Sequence, residues 1–165
     1  MEPRIVSLAD DHIAEVAAIE AASYRDPWSE ASFREIQILC ETSWVAIAAG
    51  EVIGYLITQW VLDEIHVLNV AVKTEYRRRG AATQLLKMLL DLATQRGMRD
   101  IFLEVRISNA AAQRFYRRFG FSILATRKDY YPDGEDAFVM YRQLENTEDM
   151  PETAQEENMG DEHGD

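Results

Sequence analysis

Cysteine is nearly missing from this chain. Cys40 is the single one, so no disulfide can close within it, which fits a reducing compartment. Long apolar runs are missing too: nothing approaches the roughly 20 consecutive apolar residues that span a bilayer. Met1-Glu2-Pro3-Arg4 lacks the apolar segment of a secretory leader, and the expectation is a cytoplasmic protein with no membrane role. His12, His66 and His163 are too scattered for metal-ligand spacing, so no metal is expected. Basic charge is scarce, with 17 Lys and Arg against 29 Asp and Glu. The basic run Arg77-Arg78-Arg79, set on an acidic chain, lacks the broad positive face that nucleic acid requires. Internal repeats are absent, and no Pro/Gly-rich linker divides residues 1–144.

The acidic excess is concentrated at one end. Residues 145–165 hold nine acids and no Lys or Arg, leaving 20 acids against 17 bases in the rest. That segment also lacks aromatic and branched apolar residues, so it cannot offset its ordering entropy and is expected to be a disordered tail. Two readings stay open for it: a solubilising extension, or a lure that steers a basic partner. With 165 residues at 47% hydrophobic content, the chain is long enough for one full core and short for two.

What is present is most informative between Val70 and Leu86. Val70-Ala71-Val72 reads as the end of an apolar strand. Lys73 to Arg79 form a basic turn, and from Gly80 the apolar positions Leu85, Leu86, Leu89, Leu90 and Ala93 recur at helical spacing. Backbone N–H groups of residues 78–83 would then sit at a helix N-terminus without acceptors, where an anion is the natural partner. Gly80, Ala81 and Ala82 have almost no side chain to keep phosphate oxygens away, and Arg77, Arg78 and Arg79 add charge at the rim. A Walker loop is excluded because no Gly-Lys-Ser/Thr follows, and no Gly-x-Gly-x-x-Gly is present.

A pass along the chain predicts an α/β alternation. Residues 3–8 read as a strand, and Asp10 or Asp11 is expected to cap a helix with Ile13, Val16, Ala17 and Ala21 on one face. Ser29 caps a second helix running to about Cys40, where a buried structural thiol is expected rather than a nucleophile. Residues 44–48 and 52–61 read as strands joined by the turn Ala49-Gly50-Glu51, and 65–72 as a third. A helix over 80–96 ends at Gly97, and 101–106 returns as an apolar strand parallel to the previous one. Ser108 or Asn109 starts a helix that Gly120 stops. Residues 121–127 and 137–144 read as a closing hairpin.

The pattern Arg77-x-x-Gly80-x-Ala82 after a Val-x-Val strand resembles the acetyl-CoA signature of the GCN5-related N-acetyltransferases (GNAT). Leu103-Glu104-Val105-Arg106-Ile107-Ser108-Asn109 and Phe115-Tyr116-Arg117-Arg118-Phe119-Gly120-Phe121 follow in that family's order and spacing. Asp26-Pro27-Trp28-Ser29-Glu30, Asp63-Glu64 and Tyr130-Tyr131-Pro132-Asp133-Gly134 further resemble the RimI-type branch, which acetylates the N-terminal alanine of a small-subunit ribosomal protein. The resemblance covers about residues 1–144. It implies the GNAT (acyl-CoA N-acyltransferase) fold, an α/β domain with a mixed sheet of about seven strands and about four helices. It also implies acetyl-CoA as cosubstrate and a protein N-terminus, that of a ribosomal protein, as acceptor. Two rival readings stay open: a GNAT enzyme acting on a small-molecule amine or on lysine, and a non-catalytic acyl-CoA-sensing module.

The resemblance also assigns residues. In the family the strand before the phosphate loop bulges, and main-chain N–H groups there meet the acetyl carbonyl and pantetheine arm; here these are Val70, Ala71 and Val72. The phosphate grip falls on Arg77, Arg78, Arg79, Gly80, Ala81, Ala82 and Thr83, and Asn109 would bond the pantetheine arm. Glu104 interrupts an apolar strand and is the candidate base, with an ion pair to Arg106 as the alternative. Burial would raise its pKa. Tyr116 is the candidate acid for the departing thiolate, with core packing beside Phe115 and Phe119 as the alternative. Asn109 and Tyr116 are seven positions apart, almost two helical turns, so both should point from one face; a helix cap is the alternative for Asn109. Residues 24–28 and 130–136 resemble loops flanking the acceptor cleft. Glu64 or His66 could face the incoming amine, and for His66 both a second proton acceptor and a solvent-facing strand residue stay open.

Overall fold

The computed structural model describes residues 2–39 and 42–144. Cys40 and the acidic segment 145–165, with the expectations placed on them, lie outside the described residues. Four strands, β1 (Arg4–Ser7), β2 (Trp44–Ala48), β3 (Glu51–Val61) and β4 (Glu64–Val72), run as antiparallel neighbours. The turn between β2 and β3 has positive φ at both Ala49 (50°) and Gly50 (78°), the two-residue geometry whose twist matches a hairpin. After β4 the chain crosses through α3 (Ala81–Gln95) and returns as β5 (Asp100–Arg106), parallel to β4, because parallel neighbours need a long connection. α4 (Ala110–Arg118) follows, and β7 (Ala137–Gln143) inserts between β5 and β6 (Ser122–Arg127), antiparallel to both. The seven strands make one sheet in the order β1-β2-β3-β4-β5-β7-β6.

Helices cover the two faces unequally. On one face α3 and α4 bury Leu85, Leu89, Ala93 and Tyr116 against Ile53, Leu56, Ile65, Val67, Ile101, Leu103 and Met140. On the other, α1 (Ile13–Ser23) and α2 (Glu30–Leu39) bury Ile13, Val16, Ile19 and Phe33 against Val45, Val52, Tyr55 and Ile57. β3 is therefore buried on both sides from Val52 to Thr58, as a central strand covered by helices on each face must be. β5 instead alternates, with Ile101, Leu103 and Val105 buried and Phe102, Glu104 and Arg106 only partly so. Those last three face the side of α1 and α2, so the sheet is open where Glu104 stands. No helix among the described residues is long and apolar enough to cross a membrane.

The start of α1 departs from the expectation. Neither Asp10 nor Asp11 caps it. Both lie inside a short 3-10 turn, Asp10–His12, and His12 Nδ1 accepts the Ala9 N–H at 3.0 Å. The buried face also shifts by one position: Ala21 is exposed and Glu20 is buried, as the i, i+3, i+7 spacing from Ile13 and Val16 requires. α2 does begin as expected, with the Ser29 hydroxyl accepting the Ser32 N–H at 3.1 Å.

Candidate active site

β4 and β5 share only the rungs from Glu64 and Asp100 to Val67 and Leu103. Beyond them β4 stays on β3 while β5 stays on β7, so a gap opens between the two strands. Its cause is a bulge: Ile57 pairs with Asn69 and Thr58 with Val67, leaving Leu68 as the extra residue. The family-derived bulge thus lies two residues before Val70. Val70 and Val72 turn their carbonyls away from β3, since these accept the Tyr24 hydroxyl and, at 3.1 Å, Arg77 Nε. Alternation along the strand then places the N–H groups of Val70 and Val72 on the same open edge and those of Ala71 towards β3. Of the three expected residues, two present their main chain to the gap.

The strand leads through the 3-10 turn Thr74–Tyr76 to α3. Arg78 and Gly80 both have positive φ, 64° and 86°, and the kink they make aims the helix N-terminus at the strand's end. The first intrahelical bond runs from the Gln84 N–H to the Gly80 carbonyl at 2.9 Å, and no side chain caps the turn. The N–H groups of Ala81, Ala82 and Thr83 are consequently left for an anion. A Cβ built on Gly80 would meet nothing within 4 Å, so space for a phosphate lies against the backbone there. The small residues do not all serve that space: Ala81 is 2% exposed and packs into the core. Arg77 and Arg79 diverge, Arg77 turning back onto the Val72 carbonyl while the Arg79 guanidinium lies 5.6 Å from the Tyr76 ring centre. The cradle fits a pyrophosphate.

Glu104 stands one residue beyond the last shared rung, its side chain 10% exposed. His66 Nε2 lies 2.7 Å from Glu104 Oε2, and Arg127 Nε lies 3.8 Å from Oε1. The alternative ion pair with Arg106 is not formed. Arg106 bonds both Asp133 oxygens at 3.0 and 2.9 Å and Glu135 Oε1 at 2.9 Å, and stacks 4.0 Å over the Tyr131 ring.

Tyr116 packs edge-on against Phe115 and Phe121 and is 7% exposed, so the core-packing alternative holds for its ring. Its hydroxyl bonds no described residue, and burial, with the Tyr24 and Tyr131 hydroxyls in electrostatic reach, pushes its pKa well above the usual phenol range. It is held protonated. Tyr24 itself is pushed up to about 12 by burial of its hydroxyl end and by Glu20, and Tyr131 to about 12 by burial and Tyr130. Asn109 is the cap of α4: its Oδ1 accepts the Ala112 N–H at 3.1 Å and its backbone is not helical. It does not share a helical face with Tyr116, and its amide nitrogen bonds no described residue.

Two groups escaped the sequence reading. Glu20 is 1% exposed and accepts from Asn69 Nδ2 at 2.7 Å, from the Trp28 N–H at 3.4 Å and from the Tyr55 hydroxyl. It ties α1 to β3, to β4 beside the bulge and to the 24–29 loop. An acid at position i+7 of an apolar helical stripe was the available signal. The second is the clasp at Arg106, which reaches Asp133 and Glu135 and comes within 3.5 Å of Asp26, while Arg25 bonds Asp133 at 3.2 Å. It joins the 24–29 and 128–136 loops over the end of β5. Among the described residues no cluster of three or more His, Cys, Asp or Glu could hold a metal.

Residues 13–121 match the description "Acetyltransferase (GNAT) family". The chain is 38% identical over 139 residues to the [ribosomal protein bS18]-alanine N-acetyltransferase of Escherichia coli K12, covering 82% of this chain and 94% of that one. The crystal structure of the ribosomal-protein-S18-alanine N-acetyltransferase from E. coli superposes with a TM-score of 0.83 at 35% identity, over 90% of this chain and 99% of that one. Ard1 from Thermoplasma volcanium gives 0.85 at 28% identity, over 88% and 100%. With its split parallel pair, its open helix N-terminus and these relatives, the chain belongs to the GNAT family of acetyltransferases.

Proposed function

We propose that this enzyme moves an acetyl group from acetyl-CoA to the α-amino group of a protein N-terminus, with the N-terminal alanine of a bS18-type ribosomal protein in the cytoplasm as acceptor. The observation that carries the proposal is the parting of β4 and β5 directly before Glu104, which sets a carboxylate at the mouth of a gap edged by main-chain donors. The relatives named above supply the acceptor class.

In this reading acetyl-CoA enters with its pyrophosphate on the N–H groups of Ala81, Ala82 and Thr83 and its arm along Val70 and Val72. The Asn109 amide is the further donor for that arm. The α-amino group titrates near pKa ~8 and needs to lose one proton before attack. Glu104 takes it. As charge builds on the carbonyl oxygen, the N–H groups on the open edge of β4 face it without having to reorient. Tyr116, held protonated by burial, donates to the departing sulfur, and the second proton that the nitrogen sheds as the C–S bond breaks and the amide forms restores the Tyr116 hydroxyl through water. The paired loops over β5, clasped by Arg106, form the walls between which an extended N-terminus would enter.

The test uses an intact bS18-type protein, the enzyme and acetyl-CoA, with the modified site located by fragmentation mass spectrometry. Acetyl on the terminal nitrogen alone supports the proposal. Acetyl on internal lysines alone overturns it in favour of a lysine acetyltransferase.

A further inference from the structure

His66 and Phe102 face each other across the parallel pair β4–β5, and Glu104, two residues on, projects from the same face as Phe102. This places the imidazole diagonally beside the carboxylate, with Nε2 2.7 Å from Oε2. An ionised carboxylate can only accept, so in this pair Nε2 carries the hydrogen that bonds Oε2. His66 keeps 37% of its side-chain surface exposed against 10% for Glu104. The histidine therefore stands outside the carboxylate and grips it from the solvent side. The other carboxylate oxygen, Oε1, has no hydrogen bond among the described residues, since Arg127 Nε at 3.8 Å is too far to make one.

A glutamate has three side-chain torsions, and a base that must meet an incoming amine is useful in only one arrangement of them. Fixing Oε2 fixes the carboxylate plane and leaves one oxygen to react. We propose that His66 is a positioning residue for Glu104: its Nε2–H bond holds Oε2, so that Oε1 is the atom that receives the proton of the acceptor's α-ammonium group. In that step one ammonium N–H bond breaks and an O–H bond forms at Oε1, leaving a neutral amine and a neutral carboxylic acid. The hydrogen on Nε2 stays where it is, and Glu104 returns its proton to water after the product leaves. The inference rests on Glu104 being the base.

The test is a double-mutant cycle on the full chain with a peptide acceptor, measuring kcat, the peptide KM and acetyl-CoA affinity by calorimetry. His66→Leu removes the donor at similar volume and is expected to lower kcat by about 10- to 100-fold, the scale of a misplaced catalytic group. Peptide KM and acetyl-CoA affinity should stay within about twofold of wild type. His66→Gln, whose terminal amide can donate from nearly the same place, is expected to recover most of the lost turnover. In a Glu104→Gln background, His66→Leu should cost nothing further, because its effect passes through the carboxylate. Wild-type kcat in His66→Leu, equal losses in His66→Leu and His66→Gln, or additive losses in the double variant would each overturn the inference. Full activity in Glu104→Gln alone would instead remove the base assignment beneath it, which is a separate result.

Discussion

Val67 and Leu103 form the last rung that β4 and β5 share. Three parts of the candidate site lie just past that pair: the bulge at Leu68, the open edge of Val70 and Val72, and Glu104. A sheet that parts there exposes main-chain donors on one strand and an acid on the other without breaking the core beneath, because Ile65, Val67, Leu103 and Val105 remain buried against the helices.

Replacing Glu104 by Gln keeps the volume and removes the proton acceptor. Turnover should fall by about 10²- to 10⁴-fold, the range for a general base, while calorimetry finds acetyl-CoA affinity unchanged. A wild-type rate would remove Glu104 from the chemistry.

Gly80→Glu should abolish acetyl-CoA binding. A Cβ at this position meets nothing within 4 Å, so the added carboxylate would project into the space facing the α3 N-terminus and repel a phosphate there. Because the backbone has φ near 86°, Gly80→Asn is the control for strain: asparagine tolerates this conformation and carries no charge. Circular dichroism should report a folded protein in both variants, with affinity lost only in the Glu variant.

The clasp residue Arg106 acts on loops rather than on chemistry. Arg106→Met should raise the peptide KM by roughly tenfold, the scale of lost charged hydrogen bonds, and leave acetyl-CoA affinity as it was. Steady-state kinetics with each substrate varied in turn separates the two.

The clasp should also loosen in acid. The Asp133 carboxyl is held below its ordinary 3.8 by the Glu135 N–H and then by Arg106, and Glu135 below 4.5 by Ser108 and then by Arg106. Because both pKa values are depressed on folding, their contribution is complete above the ordinary values and is lost as pH falls through the lowered ones. The protection of the 128–136 amides, taken relative to their intrinsic exchange rate at each pH, should therefore fall below about pH 4 in wild type. In Arg106→Met that protection should already be low at neutral pH.

Removing the buried Glu20 carboxylate should cost stability. Glu20→Ala would leave Asn69 and the buried Tyr55 hydroxyl without their acceptor, a loss of about 3 kcal/mol, read as a lowered denaturant midpoint. Tyr55→Phe should cost less, about 1 kcal/mol.

Much of this was legible in the residues. Strand order up to β5 followed from apolar runs and a helical crossover, and the α3 cradle from a small, basic turn before a helical stripe. Glu104 stood out as an acid in an apolar run. What was not legible depended on contacts distant in sequence. The bulge falls at Leu68 because of the register of β3 against β4, which no local pattern in β4 encodes. Arg106 lies two positions from Glu104 and invites an ion pair, yet alternation along β5 gives both the same face and leaves the choice of partner to Asp26 and Asp133, 80 and 27 residues away in the chain. Neither Asp10 nor Asp11 caps α1 because both lie inside the 3-10 turn, and the residue at the cap position, His12, makes no side-chain cap bond to the helix. His66 could be read as a surface histidine until the parallel pairing set it against Glu104.

The most direct test of the account is turnover of acetyl-CoA with two short peptides. One begins with a free alanine; the other is identical but N-terminally blocked and carries an internal lysine. The account predicts acetylation of the free alanine peptide and none of the blocked one. Acetylation of the lysine peptide alone, or of neither while acetyl-CoA binds tightly, would contradict it.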